Sequence, residues 1–215
     1  MNFELLNKTV CLCAKRHSGK SQLIKYIIKL YGHQFKKIFV VCPSEAVNKF
    51  YSDIIPPENI FDEYKEEWMD TLMKRLTKIN SGKKDNESAH ILLILDDCVS
   101  DINFHASKSF EKIFTRGRHL KISIILTTQY CYLIPPVCRV NCDYILVGQM
   151  NKQGLKVMTD EFLMGDISPK EFMDMYYRLT NDYGFLIINN NSTKSNNDLN
   201  SIYGSVRVPS TEVDL

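Results

Sequence analysis

The sequence has 215 residues, of which 44% are hydrophobic and 24% are charged, and its formal net charge is +2 at pH 7. This length and composition are typical of one globular domain with a sizeable buried core. The small net charge excludes a strongly basic field over the whole molecule, so any contact with DNA has to come from local basic patches. No apolar run approaches the ~20 residues that span a membrane, and the N-terminus lacks a signal-peptide pattern.

Strands and helices alternate along the chain. Apolar and β-branched runs predict strands at 10–13, 37–42, 60–61, 91–95, 122–128, 143–147 and 183–188. Helical periodicity predicts helices at 21–31, 63–79, 107–115, 151–164 and 168–180. Ser168 is expected to cap the last of these helices, with Pro169 at its first position.

This alternation predicts an α/β fold, a three-layer sandwich with a mostly parallel central sheet. The continuous apolar run at 91–95 indicates a central strand that is covered on both faces. We expect residues 1–190 to form the core domain. We expect 191–215 to be an Asn/Ser-rich tail, mobile in its first part, with a weak edge strand at Val206 and Val208.

The seven cysteines are odd in number and form no Cys-x-x-Cys pair. Several lie inside apolar runs, and no His near Cys138 and Cys142 completes a zinc-binding set. The sequence therefore predicts reduced, mostly buried thiols and a reducing compartment.

Residues 9–21 read TVCLCAKRHSGKS, a short strand followed by a loop and the start of a helix. The spacing is close to the phosphate-binding motif G-x-x-x-x-G-K-[ST], in which backbone N–H groups and the helix dipole attract phosphate. Lys20 is expected to reach the β- and γ-phosphates and Ser21 to bind Mg²⁺. The residues expected to contact the nucleotide are Ala14, Lys15, Arg16, His17, Ser18, Gly19, Lys20, Ser21 and Gln22.

Two further polar sites end predicted strands. Asp96 and Asp97 follow the strand at 91–95, and Gln129 follows the strand at 122–128. Ligands of parallel α/β sheets bind at the carboxyl ends of the strands, so these residues are expected to face the phosphate loop. We expect Asp96 to hold the metal, Asp97 to orient or deprotonate the attacking water, and Gln129 to sense the γ-phosphate. The alternative for each is a polar residue that ends a strand at the surface.

Three arginines are candidates for stabilising charge on the transferring phosphoryl group, namely Arg116, Arg118 and Arg139. In ring ATPases such an arginine often comes from the neighbouring subunit. The alternative for each is a solvated or salt-bridged surface arginine.

The set formed by the phosphate loop, residues 88–97, residues 117–129 and residues 136–141 resembles the poxvirus-type DNA-packaging ATPases of large DNA viruses, within the FtsK–HerA superfamily of P-loop motors. The resemblance covers about residues 8–150. It implies a RecA-like (ASCE) core that assembles as a hexameric or pentameric ring and pumps double-stranded DNA into a preformed capsid with ATP and Mg²⁺. It also implies a capsid or portal-vertex partner and assembly in the host cell cytoplasm, and it places family arginines at Arg118 and Arg139.

Two departures from the family pattern stand out. Ala14 replaces the first glycine of the phosphate loop, which is expected to weaken phosphate affinity because alanine resists positive φ. The short chain has no evident DNA-binding module, so the motor is expected to rely on partner proteins for substrate capture.

Other functions remain open on the sequence alone. They are a helicase or chromosome-resolution motor with the same core, a non-motor P-loop kinase or nucleotide switch, and a nucleotide-binding scaffold without hydrolysis. Lys83 and Lys84 are candidates for gripping DNA, and a solvated pair in a surface loop is the alternative.

Overall fold

A computed structural model describes residues 4–98, 107–192 and 198–208. The described residues form one eight-stranded sheet. The first six strands across the sheet are parallel, and the last two run antiparallel to their neighbours. The predicted α/β class and mostly parallel sheet are therefore confirmed.

The strands lie close to their predicted positions. In chain order they are β1 Thr9–Cys13, β2 Lys37–Val41, β3 Ile60–Phe61, β4 Ile91–Leu95, β5 Ile122–Thr128, β6 Tyr144–Val147, β7 Gly184–Asn189 and β8 Tyr203–Arg207. Their order across the sheet is β3-β2-β4-β5-β1-β6-β7-β8. The helices are α1 Lys20–Tyr31, α2 Glu45–Asn48, α3 Glu66–Asn80, α4 Lys108–Arg116, α5 Pro136–Val140, α6 Lys152–Phe162, α7 Pro169–Leu179 and α8 Leu199–Ile202. No helix within these described ranges is long and apolar enough to cross a membrane.

Side-chain hydrogen bonds cap the amino ends of three of the described helices, α4, α6 and α7. The Ser168 hydroxyl accepts from the Glu171 N–H and the Glu171 carboxylate accepts from the Ser168 N–H, which completes a capping box at α7. Ser107 caps α4 with a single hydrogen bond, in which its hydroxyl accepts from the Phe110 N–H. The short helices α2 and α5 were not predicted, because four or five residues carry no readable periodicity.

Side chains of the strands alternate between two apolar layers. Val10 and Leu12 face the layer of α1, where Leu23, Ile24, Ile27 and Ile28 are buried. Cys11 and Cys13 face the opposite layer, which α3, α4, α6 and α7 cover. The seven cysteines are buried, as predicted. Helices on both faces of the sheet give the predicted three-layer arrangement.

The C-terminal part of the chain belongs to the sheet. β8 pairs antiparallel with β7, and its Val206 is buried in the same cluster as α1, as is Val208 just after it. The predicted edge strand is thus present, and it lies beyond the predicted core boundary at residue 190. The predicted mobile tail falls partly at 193–197, which lie outside the described residues, as do 209–215.

Candidate active site

The crevice at the carboxyl edge of the sheet lies between β1 and β5. The chain leaves β1 through α1 on one face of the sheet, and it leaves β5 through α5, whose Cys138 is buried on the other face. Neighbouring strands with connections on opposite faces leave a crevice between them, where α/β proteins bind ligands. The predicted site residues that follow β1, β4 and β5 are brought together at this edge.

The loop from Ala14 to Gly19 wraps around the Lys20 side chain. The Lys20 ammonium donates to the Ala14 carbonyl at 2.7 Å and to the Lys15 carbonyl at 2.9 Å. The Ser18 hydroxyl donates to the Lys15 carbonyl at 2.6 Å and closes the turn. His17 and Gly19 adopt positive φ angles of 58° and 85°. The loop is therefore preshaped around the amino end of α1, where phosphate binding is favoured.

The remaining predicted nucleotide contacts differ in exposure. Lys15, Arg16 and His17 are exposed along the rim of the loop, and Gln22 is exposed on the first turn of α1. His17 carries one of the two left-handed turns of the loop. A positive φ is uncommon for a residue other than glycine, and histidine is among those that tolerate it.

The strain that was expected at Ala14 is absent. Ala14 is fully buried, and it does not belong to the residues with positive φ. Its N–H donates to the Thr128 carbonyl at 3.1 Å, which continues the pairing of β1 with β5. Space for its methyl group comes from Gly148 after β6, where an added Cβ would lie 2.8 Å from the Ala14 Cβ. The physical reason for expecting weakened phosphate affinity therefore does not apply.

Asp96 is the most enclosed acid of the site, with 5% of its surface exposed. Its Oδ2 accepts from the Ser21 hydroxyl at 3.4 Å, and its Oδ1 accepts from the Thr127 hydroxyl at 2.5 Å. A second and shorter bond to Oδ2 comes from the Tyr51 hydroxyl at 2.7 Å. Burial, reinforced by the charge of Asp96, raises the pKa of Tyr51 well above its ordinary value, so this hydroxyl is a proton donor.

Tyr51 is held in place by a buried acid. The Glu45 carboxylate, 5% exposed, accepts from the N–H groups of Phe50, Tyr51 and Ser52 at 2.8 to 2.9 Å. The Ser52 hydroxyl donates to the same carboxylate at 2.7 Å. Three amides on one carboxylate fix the path of the backbone before Ile55, so the Tyr51 ring, which is fully buried, has one position.

Asp97 lies next to Gln129 at the rim of the crevice. The Gln129 amide donates to Asp97 Oδ2 at 3.1 Å and to Oδ1 at 3.3 Å. The Asp97 N–H donates to the Thr127 hydroxyl at 2.9 Å, and the Asp97 backbone has a positive φ of 56°. Left-handed backbone at a residue other than glycine is often found at functional sites.

The electrostatics of the crevice suit an anionic ligand with a metal ion. Burial lowers the pKa of the Lys20 ammonium from its ordinary value, while the charges of Asp97 and Asp96 act in the opposite direction. The described residues contain no group of three His, Cys, Asp or Glu side chains that could hold a metal alone. A hydroxyl and a carboxylate 3.4 Å apart, Ser21 and Asp96, do fit Mg²⁺, which prefers oxygen ligands and takes the rest from phosphates and water.

The structure separates Arg139 from Arg118, the two candidates that the family resemblance supports. Arg139 is buried on α5, where its Nε and Nη2 donate to the Glu161 carboxylate at 2.6 and 2.5 Å and its Nη1 donates to the Ile134 carbonyl. This geometry makes Arg139 a salt-bridged structural arginine. Arg118 is exposed, and it lies in the turn Gly117–Leu120 before β5.

Arg118 is far from the phosphate loop of its own chain. β5 separates the two across seven residues, or about 20 Å at the usual rise per residue. Arg116 ends α4, just before the same turn, and is also exposed.

Several residues of the site carry no signal in the sequence. Glu45 begins the short helix α2 and Tyr51 lies in the irregular segment after it. Nothing in the sequence around Tyr51 indicates contact with an acid 45 residues later. Thr127 lies inside β5 and looks like a core position, although its hydroxyl contacts both Asp96 and the Asp97 N–H. A contact of this kind depends on the register of β4 against β5, which only the folded sheet fixes.

Comparison with solved structures identifies the fold as that of P-loop ATPases. The chain is similar to B204, the DNA-packaging ATPase from Sulfolobus Turreted Icosahedral Virus, with a TM-score of 0.67, 16% identity, and coverage of 96% of this chain and 100% of that one. It is also similar to the pCW3 conjugation coupling protein TcpA in a form with ATPγS, with a TM-score of 0.62, 14% identity, and coverage of 84% and 57%.

Sequence relatives come from viruses. Uncharacterized protein 075L of Invertebrate iridescent virus 6 is 35% identical over 185 residues, which are 85% of this chain and 70% of that protein. Uncharacterized protein L437 of Acanthamoeba polyphaga mimivirus is 28% identical over 166 residues, which are 72% of this chain and 58% of that protein. The family model described as Poxvirus A32 protein matches residues 4–206. The chain belongs to this family.

Proposed function

We propose that this protein is an ATP-driven double-stranded DNA translocase that packages a viral genome into a preformed capsid. The observation that carries the proposal is the meeting of three strand ends: Ser21 lies 3.4 Å from Asp96, and Gln129 lies 3.1 Å from Asp97. Hydrolysis of a nucleoside triphosphate needs this set of groups around one phosphate chain. Membership of the A32 family and similarity to a packaging ATPase supply the DNA substrate and the viral role.

Each residue of the site has its own role in hydrolysis, set by its position. The Lys20 ammonium donates to the Ala14 and Lys15 carbonyls in the structure. When the triphosphate binds, the ammonium moves to the β- and γ-phosphate oxygens and neutralises part of their charge. Ser21 and Asp96 hold Mg²⁺, which when bound supplies further positive charge at the phosphate oxygens. Asp97 accepts a proton from the attacking water, because its carboxylate is not enclosed as that of Asp96 is.

Gln129 links the chemistry to movement. Its amide donates to Asp97, so a γ-phosphate oxygen or an attacking water that accepts from this amide competes with Asp97 for the same hydrogens. Gln129 is followed directly by the segment that leads to α5. Leu133 of this segment and Val137 and Val140 of α5 are exposed. A change at Gln129 on hydrolysis is therefore passed to an apolar surface, which is suited to contact with a neighbouring subunit.

The working form in this proposal is a homo-oligomeric ring, a pentamer or hexamer, at the site of virus assembly in the host cell cytoplasm. Arg118 is the candidate for the site of another subunit, because it is exposed and lies at the opposite edge of the sheet from the phosphate loop of its own chain. The capsid or portal vertex is the expected docking partner of the ring.

ATP hydrolysis measured with and without double-stranded DNA tests the proposal. We expect DNA to stimulate ATP turnover by the wild type. We expect Lys20→Ala and Asp97→Asn to abolish ATP turnover both with and without DNA. A chain that hydrolyses ATP only as a monomer and ignores DNA would contradict the motor. A separate strand-displacement assay covers the alternative, because unwinding of the duplex would indicate a helicase instead.

A further inference from the structure

A cleft of about 470 Å³ opens beside the phosphate loop, on the side of β1 away from Asp96. One wall is the loop itself, from Lys15 to Ser18. The other wall is the turn that leads into β7, and Gln149 lies between them at the end of β6. The residues that line the cleft are Lys15, Arg16, His17, Ser18, Gln149, Thr180, Asp182, Tyr183 and Gly184.

Tyr183 is an exposed aromatic residue at the edge of this cleft. Its side chain touches the phosphate loop, because a Cβ added at Gly19 would lie 3.2 Å from Tyr183 Cδ1. The residue is nevertheless 60% exposed, so the ring is not a core residue of the sheet. An aromatic face is thus presented next to the loop that holds the phosphates.

The backbone at this turn is strained and firmly held. Asp182 and Tyr183 have consecutive positive φ angles of 49° and 57°, a conformation that tyrosine rarely adopts. Gly184 follows, and a Cβ there would lie 2.1 Å from the Leu179 carbonyl oxygen. The Tyr183 carbonyl accepts from the Val208 N–H at 3.2 Å, which ties the turn to the end of β8. Strain that the surroundings maintain at an exposed aromatic residue points to a binding role.

We propose that this cleft binds the nucleoside end of the triphosphate, with the nucleobase stacked on the Tyr183 ring. The inference rests on the proposed function, since it assigns the other end of the same ligand. The phosphates bind in the loop at Lys20, and the ribose and base extend past Gly19 into the cleft. Asp182 supplies a carboxylate that accepts from a ribose hydroxyl. Stacking on an aromatic ring tolerates any base, because every base has a π face.

Calorimetric titration of the full chain with ATP and, separately, with inorganic tripolyphosphate tests the assignment. Tyr183→Asn removes the ring and keeps the turn, because asparagine tolerates positive φ. We expect this variant to bind ATP about tenfold more weakly than the wild type, the usual effect of losing one base-stacking ring. Its affinity for tripolyphosphate should be unchanged. Tyr183→Phe should bind both ligands as the wild type does, and so should Tyr177→Ala, which removes an exposed tyrosine of α7.

The possible results separate this inference from the proposed function. If the wild type binds neither ligand, both fail. If the wild type binds ATP and tripolyphosphate equally, the nucleotide site stands and the nucleoside cleft is overturned. Equal loss of both ligands in Tyr183→Asn would assign Tyr183 to support of the loop and would also overturn it, as would an unchanged affinity for ATP.

Discussion

The Tyr51 hydroxyl donates a 2.7 Å hydrogen bond to Oδ2 of Asp96, the same oxygen that accepts from Ser21 at 3.4 Å. The acid proposed to hold the metal is therefore aimed by a buried tyrosine from another part of the chain. With Thr127 on Oδ1, both oxygens of Asp96 have fixed partners. A carboxylate held in this way needs little rearrangement when a nucleotide binds.

Tyr51→Phe removes only the hydroxyl and leaves Asp96 with weaker partners on Oδ2. We expect a loss of unfolding free energy of about 1.5–3 kcal/mol, the usual value for a hydrogen bond to a charged group. We also expect a higher Mg²⁺ concentration for half-maximal ATPase activity, measured at saturating ATP, because Asp96 is no longer held in one orientation.

The matched control is Tyr64→Phe, which removes another buried hydroxyl, hydrogen-bonded to Ser107 on the opposite face of the sheet. This control should lower stability without moving the Mg²⁺ dependence. If Tyr51→Phe leaves that dependence where it is in the wild type, Tyr51 has a structural role alone.

Glu45→Gln tests the support of Tyr51. An amide nitrogen cannot accept, so part of the set of N–H donors from Phe50 to Ser52 loses its buried partner. We expect a loss of about 1–3 kcal/mol of unfolding free energy and a shift of Mg²⁺ dependence in the direction of Tyr51→Phe. Because the two residues act in series on Asp96, the double variant should shift the Mg²⁺ dependence by less than the sum of the single variants. Full additivity would show that Glu45 acts elsewhere.

The sequence predicts the frame of this protein better than the details of its site. Continuous apolar runs such as 91–95 identify buried parallel strands, because both faces of the sheet are covered. The strand ends then place Lys20, Asp96 and Gln129 at one edge without further information, since parallel strands share a carboxyl edge.

The roles of residues that do not follow a parallel strand could not be predicted from the sequence. Tyr51 reaches Asp96 from an irregular segment, and the tyrosine of the cleft, Tyr183, precedes an antiparallel strand. Arg139 was predicted from its position in the chain, but its role depends on Glu161, a contact between two helices that no periodicity specifies. Such contacts depend on tertiary packing and leave no local pattern.

Ala14→Gly tests the replacement of the first loop glycine. Because Ala14 needs no positive φ, we expect no gain in nucleotide affinity and a loss of about 0.5–1 kcal/mol in unfolding free energy from the added backbone freedom. The measurements are calorimetric ATP binding and denaturant unfolding. A marked gain in affinity would mean that the loop changes its backbone when the nucleotide binds.

Gly148→Ala probes the same contact from the other side. The added methyl would lie 2.7 Å from Phe185 Cε1 and 2.8 Å from the Ala14 Cβ. We expect overpacking to cost about 1–3 kcal/mol of unfolding free energy. Ala14→Gly should recover part of this loss in the double variant, since it removes one of the two close contacts. No recovery would leave Phe185 as the whole cause.

Subunit mixing distinguishes the two arginines. A Lys20→Ala subunit has an impaired phosphate loop but still presents Arg118 to a neighbour. An Arg118→Ala subunit has an intact phosphate loop but presents no arginine. Each alone should be inactive, and an equimolar mixture should recover part of the wild-type ATPase activity, because some sites in a mixed ring combine an intact phosphate loop with an intact arginine.

Arg139→Ala should behave differently in the same assay. The side chains of Arg139 and Glu161 are 11% and 35% exposed. Breaking this partly buried pair should cost about 1–3 kcal/mol of unfolding free energy. Glu161→Gln should have the same effect. Activity of Arg139→Ala should fall only as far as the folded fraction falls. Its mixture with Lys20→Ala should give no more than the sum of the two proteins measured separately. Recovery with Arg139→Ala but not with Arg118→Ala would assign the trans role to Arg139, which would then have to leave Glu161 when the ring forms.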